Sequence, residues 1–340
     1  MSGGWDLSRQ PVVGAPMAGA GTPQLAAAVS AAGGFGMLPA GYLSTAKLGE
    51  NISRTRELTD RPFGVNIFVP APSSRQRDEA EVRAYAHRLA PVAADLRTHI
   101  PEPRWNDTDE FDAKVDLLVG ERLPMVSFVF GCPPQDVVER LHSVGTRVVT
   151  TVTDADEALA AVRGGADALC VQGCDAGGHR GTHTVAGIPN EHSLHHLLRE
   201  VRSVTGVSLI AAGGIMDPHD VDLAIRLGAV AVQCGTAFLL TDEAGTTVAH
   251  RAGLTDPALD SLVVTRAFSG RPAQGLRNRF VDTFDEHAPS VFPIVDQLTK
   301  PLRAAAAAVE DHHWVSLWAG SGWRRARTGS ASDVVRHLCP

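Results

Sequence analysis

Short apolar runs of strand length recur along the chain at 12–15, 36–38, 64–68, 125–130, 148–152, 168–172, 208–212 and 230–234, most of them followed by a glycine or a polar turn. After the first few, they are almost continuously apolar rather than alternating. A strand with one wet face alternates; a strand covered on both faces does not, so these read as members of a buried parallel sheet. The stretches between them read as helices with marked ends. Thr22 is placed to cap a helix with Pro23 at its first position, and Gly33-Gly34 stops it. Thr153 reads as the cap of a helix over 154–163, Asp217-Pro218 opens another, and Asp242-Glu243 reads as a further helix start. Strand and helix in alternation predict right-handed crossovers, and eight repeats favour closure. The expected fold class is α/β, a (β/α)8 TIM barrel.

Two regions exceed that repeat. Residues 69–123 are too long for a simple crossover; they begin with Pro70, Pro72 and two serines and continue into charged helical stretches. The tail, 241–340, carries an alanine-rich helical run over 302–309 and a glycine-tryptophan segment over 314–323. Insertions on a barrel's active face commonly cover the ligand. The expected organisation is therefore a ligand-binding barrel from 1–68 and 124–240, an inserted helical segment over 69–123, and a C-terminal extension over 241–340 that forms lid elements and a small second subdomain.

Composition narrows the partners. With 340 residues the chain can bury a barrel core and a small extra layer. The net charge of -7, from 38 acidic and 31 basic side chains, argues against nucleic acid or an anionic membrane as the main partner. No stretch approaches the ~20 apolar residues of a membrane span, and the first ten residues lack the pattern of a signal peptide. The five cysteines are odd in number and form no CxxC, which reads as reduced thiols and a cytoplasmic location. A homo-oligomer stays open.

In such barrels chemistry gathers at the C-terminal ends of the strands. After the first run come Ala15, Pro16 and Met17, a rigid backbone of small residues that a flat ring can approach closely. Asn66 and Gln172 are carboxamides at the mouth, each with a donor and an acceptor to match the N and O atoms on the edge of a flavin ring. Gly213 and Gly214 follow the seventh run. Gln233, Cys234, Gly235 and Thr236 end the eighth. Free N–H groups in those two adjacent loops suit a phosphate dianion. The sharpest local signal is 175–181, where Gly177 and Gly178 precede His179 and another glycine follows Arg180. Glycines on both sides let His179 stand clear beside a bound ligand, and its ordinary pKa of ~6.5 allows either charge state. His192, His195 and His196 have helical spacing without an acidic or cysteine partner at a telling interval, and His312-His313 is similarly isolated. Both groups read as solvated faces, and no metal is expected.

At these residues the sequence resembles the nitronate monooxygenase family, formerly called 2-nitropropane dioxygenases. The likeness runs from Pro11 to about Phe280 and resumes over 317–322. It rests on the segments 15–18, 64–66, 172–173 with 177–181, 211–215 and 233–236, and also on Phe268-Ser269-Gly270-Arg271-Pro272-Ala273. The resemblance implies bound FMN held near Asn66, Gln172, Gly177, Gly214 and 233–236, with His179 as the active-site histidine. It implies a small-molecule alkyl nitronate substrate, propionate 3-nitronate being one candidate, oxidised with O2 to a carbonyl compound and nitrite or nitrate. Two positions depart from the family pattern, Ser321 where glutamine is frequent and His183 where an apolar residue is common, and both are expected near the pocket. The alternatives on the same scaffold are an NAD(P)H-dependent quinone or enoyl-thioester reductase. From another class comes a non-redox flavin- or phosphate-binding barrel.

Overall fold

The structure, a computed structural model, describes residues 6–71 and 73–339; Pro72 lies outside them. Its strands are β1 (Val12–Gly14), β2 (Gly36–Pro39), β3 (Phe63–Phe68), β4 (Met125–Val129), β5 (Arg147–Val152), β6 (Ala168–Gln172), β7 (Gly178–His179), β8 (Ser208–Ala212), β9 (Ala231–Cys234), β10 (Leu262–Thr265) and β11 (Ala273–Leu276). Eight of them form one parallel sheet in the order β1-β9-β8-β6-β5-β4-β3-β2. Its two ends meet where Phe35 donates to the Val12 carbonyl at 2.8 Å and Gly14 donates to the Phe35 carbonyl at 3.0 Å. The sheet is a TIM barrel, and each expected strand lies within one residue of an observed one.

Alternate residues explain why the strands carry no polar face. Val13, Met37, Met125, Val149, Cys170 and Ile210 form a buried cluster that contains no helical residue, and so fills the barrel. Their neighbours Leu169, Val171, Leu209 and Ala211 pack outward against Leu197, Leu198 and Val201 of the helix Leu194–Val204. Both sides are dry. The helix Pro23–Ala31 lies directly on β2, where a Cβ on Gly36 would sit 2.0 Å from the Ala26 carbonyl oxygen.

Several helix ends differ in detail from expectation. Thr22 and Asp217 cap as read, but Asp154 rather than Thr153 caps the helix Ala155–Arg163. Thr153 instead gives its N–H and hydroxyl to Glu157, at 2.7 and 2.8 Å. Asp242-Glu243 starts no helix; the next one is Val248–Thr255, capped by Thr247. Glu243 spends its polar atoms on other helix ends, its carbonyl accepting from the Thr22 hydroxyl and its carboxylate from the Ala331 N–H. The alanine-rich run is the second half of a longer helix, Ile294–Ala308.

A separate apolar core joins chain segments far apart in sequence. Val82, Tyr85 and Leu89 of the helix Arg75–Asp95 pack with Phe268, Phe280, Phe284, Ile294 and Leu298. The Tyr85 hydroxyl donates to the Ala267 carbonyl at 2.6 Å inside this core. A second, small antiparallel sheet in the order β10-β11-β7 lies over the barrel mouth. Among the described residues no helix is long and apolar enough to cross a membrane.

Candidate active site

A cavity of about 580 Å³ opens at the C-terminal ends of the barrel strands. Its lining includes each residue expected from the sequence to hold the cofactor or act on the substrate: Ala15, Pro16, Met17, Asn66, Gln172, Gly177, Gly178, His179, Gly213, Gly214, Gln233, Cys234, Gly235 and Thr236. They converge because each follows or ends a parallel strand of one barrel. The glycines are there for space as well as turns. A Cβ on Gly177 would lie 2.4 Å from the backbone of Ala319 and Gly320, while Gly213 and Gly214 hold φ values of +119° and +73°. Among the described residues no backbone carbonyl accepts from the N–H of Gly213, Gly214, Gly235 or Thr236. That leaves four donors at one end of the cavity. A flat ring with a phosphate tail fits this lining, which combines a close-approach surface with an anion cradle.

The two carboxamides are less free than the sequence suggests. Asn66 donates to the Ser127 hydroxyl at 2.9 Å and to its carbonyl at 3.2 Å. Gln172 donates to the His179 carbonyl at 3.0 Å and accepts from the Gly181 N–H at 2.8 Å. Gln172 thus spends both ends of its amide on the loop that carries His179. Cys234 is buried, which pushes its thiol pKa well up and keeps it protonated.

His179 does not stand clear on a free loop. Gly178 and His179 form β7, paired with Gln274 and Ala273 of β11. Arg180 beneath it is 4% exposed and binds the loop from inside, donating to the carbonyls of Gly173, Cys174 and Ala176 and to the Gln274 side chain at 2.8 Å. The glycines thus let the chain cross tightly under the sheet. The His179 Nε2 lies 2.8 Å from the Ser269 hydroxyl. Phe130, Trp318 and Phe292 surround its ring, at centroid distances of 5.7, 5.6 and 6.1 Å. Burial, then the positive charges of Arg271 and Arg303, push its pKa down to about 3. The imidazole is neutral at physiological pH. The Ser269 hydroxyl has the Arg271 carbonyl as an acceptor at 3.4 Å; with its proton there, Nε2–H donates to Ser269 and Nδ1 carries the lone pair.

Arg271 is fully buried beside this group. It donates to the Thr182 carbonyl at 2.7 Å and lies over the Phe130 ring, 4.1 Å from its centroid. Phe130 itself holds φ at 77°, a strained value for an aromatic residue at the end of a strand. Farther out, Lys300 and Arg303 line the cavity; Arg303 pairs with Asp296 at 2.6 Å, and Lys300 lies 6.0 Å from the Tyr42 ring. Strand-end logic misses these residues, because Ser269, Arg271, Phe292 and Trp318 come from the extension. The 268–273 segment carried a signal, as did the glycine-tryptophan segment 314–323 for Trp318; Phe292 had none. His183 and Ser321 lie beside the cavity rather than in its lining: Ser321 sits between Gly320 and Gly322, which line it, and His183 lies behind it, with Nε2 3.0 Å from the carbonyl oxygen of the lining residue Thr151.

Two histidine groups outside the cavity are less isolated than they read. His312 Nε2 lies 3.0 Å from Asp256, and His192 and His196 both approach Glu200. His195 does not join that cluster.

Residues 3–340 match the family described as nitronate monooxygenase. A probable nitronate monooxygenase of Staphylococcus aureus (strain Newman) is 34% identical over 333 residues, which span 96% of this chain and 93% of that protein. The chain belongs to the nitronate monooxygenase family. Membership makes it a flavin-dependent oxidoreductase. A solved structure of nitroalkane oxidase from Streptomyces ansochromogenes superposes with a TM-score of 0.93 at 44% identity, covering 98% of this chain and 96% of that one. FabK from Thermotoga maritima, at 27% identity and a TM-score of 0.75 over 97% and 92% of the two chains, is more distant. The nitronate monooxygenase scaffold therefore spans the whole chain, extension included.

Proposed function

We propose that this enzyme holds FMN in the barrel-mouth cavity and oxidises small alkyl nitronates with O2, giving a carbonyl compound and nitrite or nitrate. The observation that carries the reading is a neutral, half-buried His179, fixed by Ser269 and walled by aromatic rings, in the same cavity as a glycine cradle for an anion. Gly213, Gly214, Gly235 and Thr236 would hold the phosphate, and Ala15, Pro16, Met17 and Gly177 would lie along the ring. When bound, the flavin supplies an acceptor for the electrons that leave the substrate.

The rest is the work of this chain. Lys300 places positive charge on the cavity wall, which suits an anionic substrate. The rings of Phe130, Phe292 and Trp318 give His179 an apolar setting, in which a hydrogen bond to the anion counts for more than in solution. His179 orients the substrate. If a neutral nitroalkane is also turned over, His179 would instead be the base that takes its α-proton, a step a preformed nitronate does not need.

Two measurements test the reading. Mixed anaerobically with a nitronate, the yellow enzyme is expected to bleach, and with NADPH it is expected to stay oxidised. Bleaching by NADPH alone would move the protein to the reductases. His179→Asn is expected to reduce nitroalkane turnover by roughly 10²-fold or more and to spare most nitronate turnover. Equal losses on the two substrates would remove the base role.

A further inference from the structure

Away from the cavity, His192, His196 and Glu200 bring their ligand atoms together at the start of the helix Leu194–Val204. His196 and Glu200 are one helical turn apart on one face, and His192 folds back from the preceding loop. His192 Nδ1 lies 3.3 Å and His196 Nε2 3.8 Å from Glu200 Oε2, and all three donors fall within 4.8 Å of one another. Zinc bonded to nitrogen and oxygen at ~2.0–2.2 Å separates its tetrahedral ligands by about 3.4 Å. The two distances to Glu200 lie close to that value. Glu200 Oε2 is shielded from water, yet no group donates a hydrogen bond to it. A shielded carboxylate oxygen lying between two imidazoles is thus left without a hydrogen bond.

We propose that His192, His196 and Glu200 form a binding site for a divalent transition-metal cation of the zinc type. Two imidazoles and one carboxylate are a borderline-soft donor set, suited to zinc, cobalt or nickel rather than magnesium or calcium. Both histidines are open enough to solvent for water to complete the coordination shell. The helix N-terminus works against a cation there, so the anionic Glu200 is the ligand the site can least lose. The site also touches the catalytic side of the molecule. The His192 carbonyl accepts from the Cys174 N–H at 3.1 Å, and a Cβ on Gly173 would meet the Leu194 backbone at 2.7 Å. An ion joining His192 to Glu200 therefore clamps the loop that leads out of β6 towards His179.

The test uses the full chain with its flavin bound. Cobalt(II) is titrated by visible absorption and zinc(II) by calorimetry, against wild type, His196→Ala and Glu200→Gln, with far-UV circular dichroism to confirm that the variants fold. Wild type is expected to bind one equivalent, and each variant to bind at least about tenfold more weakly. Zinc is expected to raise the melting temperature of wild type more than that of either variant. Identical isotherms in wild type and variants, or no saturation of wild type by millimolar zinc, would overturn the site. A zinc-independent melting temperature in a wild type that binds would overturn the clamp.

Discussion

At the level of single residues, the molecule keeps two histidines uncharged against their ordinary preference. His179 is pushed down to about 3, and His250 to about 4, the latter by burial and then the positive charge of Arg251, against the opposing pull of the Trp318 carbonyl oxygen 3.1 Å from its Nε2. Both folded-state values lie below the unfolded value of ~6.5. Between those limits the unfolded chain binds protons that the folded chain refuses, so stability falls as pH drops from about 6.5 towards 4. Each histidine contributes a slope of at most ~1.4 kcal/mol per pH unit. Thermal melts from pH 7 to 4 are expected to show the decline, and His250→Gln to flatten it; parallel curves for the two proteins would contradict the assignment. His179 itself was legible in the sequence through its flanking glycines. Its neutrality was not, because the rings of Phe292 and Trp318 that help bury it, and then the charges of Arg271 and Arg303, come from the distant extension.

At the level of elements, the barrel strands were legible because strands dry on both faces carry no polar alternation, and little else of that length reads so. The glycine loops were legible for the same reason: they start where the apolar runs stop. What escaped were elements whose reason lies elsewhere in the chain. β7 exists only because β11 lies beside it, and Glu200 became a partner of His192 only when the loop folded back. Close packing between elements also makes a sharp prediction. Gly36→Ala drives a methyl group into the Ala26 carbonyl on the covering helix, with no flexible side chain to give way. The variant is expected to lose about 1–3 kcal/mol, measured by urea unfolding. Gly120→Ala, a helical position with open space around the added methyl group, is the control and is expected to lose nothing.

At the level of the whole molecule, the helix Arg75–Asp95 and the extension share one core, and Tyr85 links them through the Ala267 carbonyl. Tyr85→Phe keeps the ring packing and strands that buried acceptor. The expected cost is about 1–3 kcal/mol in chemical denaturation. Because Ala267 begins the turn that carries Ser269, the same substitution is expected to lower kcat while leaving the flavin in place.

The closure of the barrel has a consequence for how the protein is made. β1 is made before the other strands of the barrel, yet its register partner in β9 pairs Val12 with Val232, 220 positions later (232 − 12). Until then β1 has only the segment around Phe35 beside it. Ser269, Phe292 and Trp318 come later still. A nascent chain thus carries an open, apolar sheet edge until β9 is made, and the pocket gains its last wall only after the barrel strands are complete. Truncated chains that stop before β9 are sticky edges rather than small enzymes.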